Sequence, residues 1–202
     1  MATLDQYALV TLDNVREALG FTVTESGDDS LLTNLINRVS TRIETYCRRK
    51  FKVRSYTEYH DGDGSPEVLV DNYPIVSVDS LWDDTDRAFT DSANDLIASG
   101  DYIKYETEGA IRLFNNETVF QTGWQNIKVT YSGGYTTIPA DIEQASIDWV
   151  VTLYRKQKDQ THGYMTKAAS GTSIMIDLQA IPKDVKDVLD SHKKFRANRE
   201  RR

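Results

Sequence analysis

Residues 127–154 change their hydrophobic period once, and this change constrains the fold more than any other feature of the chain. Apolar side chains alternate through 127–131, which is typical of a strand with one buried face. After a Gly-Gly pair and Pro139, apolar side chains recur at helical spacing. The segment therefore predicts a strand, a corner that needs a glycine at positive φ, and a long helix in the core.

Two helices are predicted ahead of the strands. A threonine can cap a first helix over residues 12–19, which Gly20 ends. Asp28 or Asp29 can cap a second helix over 29–49, whose apolar residues follow the i, i+3, i+4, i+7 spacing of a helix buried on one side. Both helices should pack their apolar stripes into one core.

The middle of the chain predicts an antiparallel sheet. From residue 51 the period falls to about two, and strands are expected between 51 and 132, with one over 76–82 that places Val76, Val78 and Ser80 on one face. Residues 83–100 are acidic and irregular, and we interpret them as a loop or an excursion on the sheet, with a solvated acidic part at 83–95. A third helix is expected over 140–159, and a last helix opens at Pro182.

These elements predict an α+β fold for the 202-residue chain. Its helical core would consist of the two N-terminal helices and the long helix, with the antiparallel β-sheet inserted at 51–132 and a C-terminal helix and tail. We expect one α+β domain over 1–160, followed over 161–202 by a flexible segment, the last helix and the basic tail.

Charge is unevenly distributed along the chain. The net charge is −7, yet residues 191–202 carry six cations and one anion, a net of +5 that leaves −12 on the rest. Such asymmetry is typical either of a tail that docks elsewhere or of a solvated terminus. The single cysteine, Cys47, lies on an apolar stripe and predicts a core residue without a disulfide. Without a long apolar run or a signal peptide, we expect a soluble, intracellular product.

Catalytic and cofactor signatures are missing from the sequence. His60, His162 and His192 have no partners at metal-ligand spacing, and neither a phosphate-binding loop nor a nucleophile elbow occurs. Asp84 and Asp86 alternate as calcium ligands do, but the pattern stops there. We therefore predict no catalytic residue, no metal and no cofactor, and a protein that is not an enzyme.

The order of several short motifs resembles the head–tail connector, or head completion, proteins of long-tailed bacteriophages. The resemblance covers residues 8–158, and these motifs carry it: Leu-Gly-Phe at 19–21, Tyr-Cys-Arg-Arg-Lys-Phe at 46–51, Asn-Tyr-Pro-Ile-Val-Ser-Val at 72–78, Ile-Lys-Val-Thr-Tyr at 127–131, Gly-Gly-Tyr at 133–135 and Ile-Pro-Ala-Asp-Ile at 138–142. The longer excursion at 83–100 departs from the compact members of that family.

The resemblance implies a virion protein of the phage neck, made in the host cytoplasm. It implies a homo-oligomeric ring, typically of twelve copies, between the portal protein and a head-closure (stopper) or tail-completion protein. DNA would pass through the lumen with transient, non-specific contact, and no membrane would be involved. The C-terminal tail matches the portal-binding segment in position, and its candidate residues are Lys193, Lys194, Phe195, Arg196, Arg199, Arg201 and Arg202.

Two alternative functions are left open by the sequence. The basic tail could bind the DNA backbone, which would make the protein a nucleic-acid-binding module with strongly salt-dependent affinity. A metal-dependent nuclease could use Asp83, Asp84 and Asp86, although no further ligands converge with them in the sequence.

Overall fold

The computed structural model describes two compact units, each built around its own core. It covers residues 2–21, 27–90, 95–114, 118–158 and 181–194, together with the backbone of 166–169 and 172–175. One unit, the helical unit, contains Met1–Arg49 and Ile138–Arg202, and the other, the β unit, contains Lys50–Thr137. The predicted division at residue 160 stays a prediction.

The elements follow one another in the order expected for an α+β chain. They are α1 (Leu12–Leu19), α2 (Asp29–Cys47), β1 (Arg54–Gly62), β2 (Glu67–Leu69), β3 (Ile75–Asp83), β4 (Leu96–Ile97), β5 (Tyr102–Tyr105), β6 (Ala110–Leu113), β7 (Gly123–Gly133), α3 (Ala140–Lys158), β8 (Thr166–Ala169), β9 (Thr172–Met175) and α4 (Lys183–Ser191). The predicted α+β fold class is confirmed.

Helix α1 begins and ends where the sequence predicts. The Thr11 side chain accepts a hydrogen bond from the Asn14 N–H at 3.2 Å, which satisfies one of the free donors of the first turn. Gly20 adopts a left-handed conformation with φ 75°, and its N–H bonds back to the last turn. Val15 on this helix is fully buried.

Helix α2 ends two residues before the predicted position, at Cys47. Arg48 takes a left-handed conformation with φ 54°, and the N–H groups of Arg48 and Arg49 bond to carbonyl groups of the last turn. At the other end Asp28 occupies the N-cap position without a capping side-chain bond. Its carboxylate instead accepts hydrogen bonds from Tyr154 Oη at 2.6 Å and Lys158 Nζ at 2.8 Å, which ties α2 to α3.

Helices α3 and α4 complete the helical unit. As predicted, α3 is apolar around much of its circumference, and its buried residues are Ile142, Ala145, Ser146, Ile147, Trp149, Val150, Leu153 and Tyr154. The hydroxyl of Ser146 is satisfied by the Ile142 carbonyl at 2.7 Å. Pro182 precedes α4, which begins one residue later and buries Val185 and Leu189. Strands β8 and β9 form an antiparallel pair.

The β unit consists of two antiparallel sheets packed on one core. The larger sheet has the order β1-β7-β3-β4 and the smaller one the order β2-β6-β5. Their inner faces share one apolar cluster, made of Val68, Val70, Ile75, Leu81, Ile111, Leu113, Phe120, Ile127, Val129 and Tyr131. Because successive side chains of a strand point to opposite faces, the outer faces of the two sheets lie on opposite sides of the unit.

Gly134 confirms the predicted glycine corner after β7. Its φ is 123°, and a Cβ at this position would lie 2.7 Å from the backbone of Lys52, so no other residue fits there without strain. The 76–82 strand was predicted with Val76, Val78 and Ser80 on one face, and this was wrong. The register shifts between Ile75 and Ser77 and again before Ser80, because bulges break the alternation.

The acidic segment at 83–95 was predicted to be solvated, and this was wrong at its start. Asp83 is the last residue of β3, and Asp83 and Asp84 are only 8% and 4% exposed. Asp84 accepts hydrogen bonds from the N–H groups of Asp86, Arg87 and Phe89, which shapes the turn. The chain then returns to the larger sheet, where β4 pairs with β3.

Candidate functional site

The junction between α4 and α2 fixes the point where the predicted portal-binding tail begins. Leu189 is fully buried, and its carbonyl lies 3.6 Å from Cys47 Sγ. The Lys194 N–H donates to the Cys47 carbonyl at 2.9 Å, so it satisfies a carbonyl group that the end of α2 leaves free. Apolar burial and a backbone hydrogen bond together attach residue 194 to the helical unit.

A polar cluster on the surface of this junction holds the end of α4 in place. Tyr46 Oη donates to Asp190 Oδ1 at 2.5 Å, and Lys186 Nζ lies 3.6 Å from the same carboxylate. Lys193 Nζ lies 4.4 Å from the centre of the Tyr46 ring, in cation–π geometry. The hydrogen bond to Asp190 raises the pKa of Tyr46 to about 12 and lowers the pKa of Asp190.

A second polar contact joins the end of α4 to the start of α3. His192 Nε2 lies 2.6 Å from Asp141 Oδ2, in the first turn of α3. Burial raises the pKa of Asp141, but hydrogen bonds from His192 and from the Ile142 N–H outweigh it and hold the pKa below its usual range. The last turn of α4 is thus bound to both α2 and α3.

The predicted portal-binding residues divide into two groups. Lys193 and Lys194 are placed, and both are engaged by the Tyr46–Cys47 end of α2 within the same chain. The other five lie outside the described residues: Phe195, Arg196, Arg199, Arg201 and Arg202. Lys193 and Lys194 therefore hold the base of the tail, and portal binding by the whole set stays a prediction.

Sequence reasoning missed the residues that position this tail. Tyr46 and Asp190 are 144 residues apart in the chain, and no periodicity relates them. The sequence placed Tyr46 on the apolar stripe of α2 and in the 46–51 motif, without a partner, and Asp190 carried no prediction. Because only tertiary packing brings α4 against α2, no local pattern could have paired them.

Glu58 and His60 of the β unit lie in a hydrogen-bonded cluster. Glu58 accepts hydrogen bonds from Tyr131 Oη at 2.5 Å and from the Asp71 N–H at 2.9 Å, and His60 Nε2 lies 3.2 Å away. These hydrogen bonds hold the turn at 71–72, which follows β2, against strands β1 and β7. Within the ranges that the structure describes, no group of three or more histidine, cysteine or acidic side chains is arranged to hold a metal ion. His162 lies outside those ranges.

Over the described parts of the chain, no helix is both long enough and apolar enough to cross a bilayer.

Comparison with known families decides how this architecture is classified. The sequence profile described as Head completion protein (HCP) matches residues 8–195, which is nearly the whole chain and includes α1 through α4. The chain belongs to the head completion protein family. The resemblance stated from the sequence motifs is therefore confirmed. No curated protein gave a significant match to this chain.

Solved structures with the same fold come from gene transfer agent (GTA) particles. A chain from the neck of an empty GTA particle computed with C6 symmetry has a TM-score of 0.62 at 14% identity, with 99% of this chain and 97% of that chain covered. A chain from the neck of a native GTA particle computed with C12 symmetry gives 0.60 at 14% identity, covering 100% and 97%. A chain from the virion of a native GTA particle gives 0.59 at 14% identity, covering 96% and 94%. At this identity, the likeness between these chains and the head completion protein described here is one of fold.

Proposed function

We propose that this head completion protein is a structural component of the neck of a phage-type particle, where it joins the portal to the stopper or tail. The observation that carries the proposal is the family match over residues 8–195. The fold supports it, because chains of the same architecture occur in GTA necks and align over nearly their whole length. On this proposal its chemistry is binding and assembly rather than catalysis.

On this proposal the protein forms a homo-oligomeric ring. The ring has twelve copies if the neck has C12 symmetry. Support comes from the C6 and C12 symmetries of the similar neck structures. A ring built from head-to-tail contacts needs two different adhesive surfaces on each subunit. The net charge of −12 outside the tail suits a lumen through which DNA slides, since acidic side chains do not bind phosphate.

We propose that the C-terminal tail binds the portal. The base of the tail is held at Lys194 by the Cys47 carbonyl, so the basic segment that follows starts from a fixed point on the helical unit. A segment with Phe195 and four arginines can place one aromatic ring in a pocket and pair guanidinium groups with carboxylates. Anchoring the base of the tail reduces the entropy lost on binding.

The test is a pull-down of the full chain by the portal protein of the same particle. A variant with Arg196, Arg199, Arg201 and Arg202 all changed to Ala should lose about tenfold or more in portal affinity, as the loss of several charge-assisted hydrogen bonds implies. The matched control is Arg38→Ala with Arg42→Ala, two exposed arginines of α2. Equal binding by the tail variant and the control would contradict the tail assignment.

The basic tail also favours a second candidate, a nucleic-acid-binding module. It predicts DNA affinity that falls steeply with salt and disappears in the same tail variant. A gel-shift titration at low salt separates the two functions. If the wild-type chain leaves DNA unshifted while it binds the portal, the DNA-binding alternative is wrong.

A further inference from the structure

The β unit carries the exposed apolar side chains of the described part of the chain. Nine large apolar residues there are more than a third exposed, and every one of them lies between Lys50 and Thr137: Tyr59, Leu69, Val76, Leu96, Ile103, Tyr105, Phe114, Val119 and Trp124. Contiguous exposed apolar surface is typical of contact sites between proteins. The strand registers show where these side chains lie relative to one another.

One group forms the outer face of the smaller sheet, and we name it surface A. Leu69 and Tyr105 flank Ala110 in register, and Ile103 lies two residues before Tyr105 on the same face. Leu69, Ile103 and Tyr105 are 52%, 45% and 39% exposed. Ala110 between them is covered, so this row is continuous. The next row of the same face is mixed, because the exposed Arg112 lies in register between Glu67 and Ile103. Phe114, 68% exposed, follows β6 on the same side of the strand.

A second group forms the outer face of the larger sheet, and we name it surface B. Its row runs across all four strands, in register from Tyr59 through Lys128 and Trp82 to Leu96. The two ends, Tyr59 and Leu96, are 49% and 42% exposed, whereas Trp82 between them is only 7% exposed. Lys128 places a half-buried cation in the same row. The ring of Phe89 packs on Tyr59 at 5.5 Å between centroids, which adds a second aromatic side chain to this surface.

Surfaces A and B face away from each other. The inner faces of both sheets contribute to one buried core that includes Ile111 from the smaller sheet and Val129 from the larger. Side chains on the outer faces therefore point in opposite directions, with that core between them. A single surface of this kind fits a two-fold dimer, whereas two unlike surfaces on opposite sides fit a head-to-tail arrangement.

We infer that surface A of one copy of this chain binds surface B of the next copy, so that the β units form the subunit contacts of the ring. The choice of a second copy as the occupant rests on the proposed ring function. A closed head-to-tail ring covers both surfaces on every copy, so no apolar face is left in water. Tyr105 on surface A and Tyr59 on surface B are aromatic side chains of the type that contributes most to such contacts.

The test is cross-linking in purified particles that contain the full chain. A variant with both Ile103→Cys and Tyr59→Cys places one thiol on each surface, and a short bismaleimide joins thiols that lie in contact. The wild-type chain is the blank, because Cys47 is fully buried and burial raises its pKa to about 11. We expect a ladder of cross-linked species beyond the dimer for the double variant, and no cross-links for either single variant.

Three outcomes of the cross-linking would count against the contact. A double variant that is present in particles but stays monomeric overturns the inference alone and leaves the neck function intact. Dimers from the single Ile103→Cys variant would show an A-to-A contact and also overturn it. Absence of the wild-type chain from purified particles would contradict the proposed function itself, together with the contact inferred from it.

A second measurement keeps the inference testable if the cysteine variant does not assemble. Ile103→Lys replaces an apolar side chain of surface A by a second cation beside Arg112, whereas Val119→Lys changes an equally exposed apolar residue that lies outside the strands. We expect incorporation into particles to fall about tenfold or more for Ile103→Lys and to persist for Val119→Lys. Equal incorporation of both variants would overturn the inference.

Discussion

At the scale of single residues, the amide of Asn126 holds the ends of three strands together. Asn126 is 1% exposed, and its Oδ1 accepts from the Gly62 N–H at 2.8 Å. Its Nδ2 donates to Asp83 Oδ1 at 3.0 Å and to the Gln121 carbonyl at 2.7 Å. Because a buried amide without partners costs about 1–3 kcal/mol, this complete set of hydrogen bonds defines the end of β1, β3 and β7.

The backbone at Gly62 packs closely against the backbone at Gln121, and this gives a prediction for Gly62. A Cβ on Gly62 would lie 1.8 Å from the Gln121 carbonyl oxygen, so Gly62→Ala should lower the free energy of unfolding by about 3 kcal/mol or more. Gly100→Ala is the control, because a Cβ there meets no atom within 4 Å, and its effect should stay within about 0.5 kcal/mol. Urea denaturation of both variants measures the difference, and equal midpoints would contradict the prediction.

The hydrogen bonds of the Glu58 carboxylate should make the stability of the fold depend on pH. Burial raises its pKa, but hydrogen bonds from His60, Tyr131 and the Asp71 N–H outweigh burial and lower the pKa overall. A carboxyl whose pKa is lowered in the folded state stabilises the fold above its unfolded pKa of about 4.3, and this stabilisation is lost as the pH falls through the folded value.

The variant Glu58→Gln should therefore show a shallower loss of stability than the wild type as the pH falls below about 4.3. Unfolding free energies from urea titrations between neutral pH and pH 3 measure the slope. Glu108→Gln, at an exposed glutamate of the same unit, is the matched control. Parallel curves for the wild type and Glu58→Gln would show that the carboxylate network contributes nothing.

At the scale of elements, the sequence predicts helices better than it predicts the faces of strands. Helix α1 was predicted with its correct bounds, since Thr11 and Gly20 mark both ends locally. The alternation in β1 indicates a strand with one polar face, the face that carries Glu58. The half-buried face proves to be the one with Glu58, because Tyr131 on β7 supplies a partner 73 residues away. Only the pairing of β1 with β7 could decide this.

Helix α4 gives a prediction about how firmly the tail base is held. Asp190→Asn removes the charge that Tyr46 and Lys186 bind, whereas Asp187→Asn changes an exposed aspartate of the same helix. We expect the Lys194 amide, which is bonded to the Cys47 carbonyl, to exchange its hydrogen about fivefold faster in Asp190→Asn and at the wild-type rate in Asp187→Asn. Identical exchange in the two variants would show that the cluster does not hold α4.

At the scale of the whole molecule, the separation of charge predicts how portal binding responds to salt. The tail carries +5 and the rest of the chain −12. If the tail arginines bind portal carboxylates, portal affinity should fall about tenfold between roughly 0.05 M and 0.5 M NaCl, because salt screens exposed charges. The variant with four tail arginines changed to Ala should respond much less. Affinity measured by surface plasmon resonance across the salt series checks this, and equal slopes would contradict it.

The sequence by itself determined the α+β class, the helix positions, the glycine corner at Gly134 and the family resemblance. The first three depend on local signals, namely periodicity, caps and φ-restricted residues. The resemblance depends on the order of short motifs along residues 8–158. The acidic stretch after β3 shows the limit. Its composition suggested a solvated loop, yet Asp83 is buried. Its carboxylate accepts hydrogen bonds from the Gln121 N–H and from Asn126 Nδ2, and these replace water.

Only the tertiary structure decided which residues share a surface. Tyr46 meets Asp190, and Lys194 meets Cys47, because α4 packs on α2 after more than a hundred intervening residues. Surfaces A and B likewise exist only once the strands pair in register and two sheets share a core. Local sequence fixes the direction of a side chain along its own element. Its partners depend on contacts between distant segments, which no spacing in the sequence records.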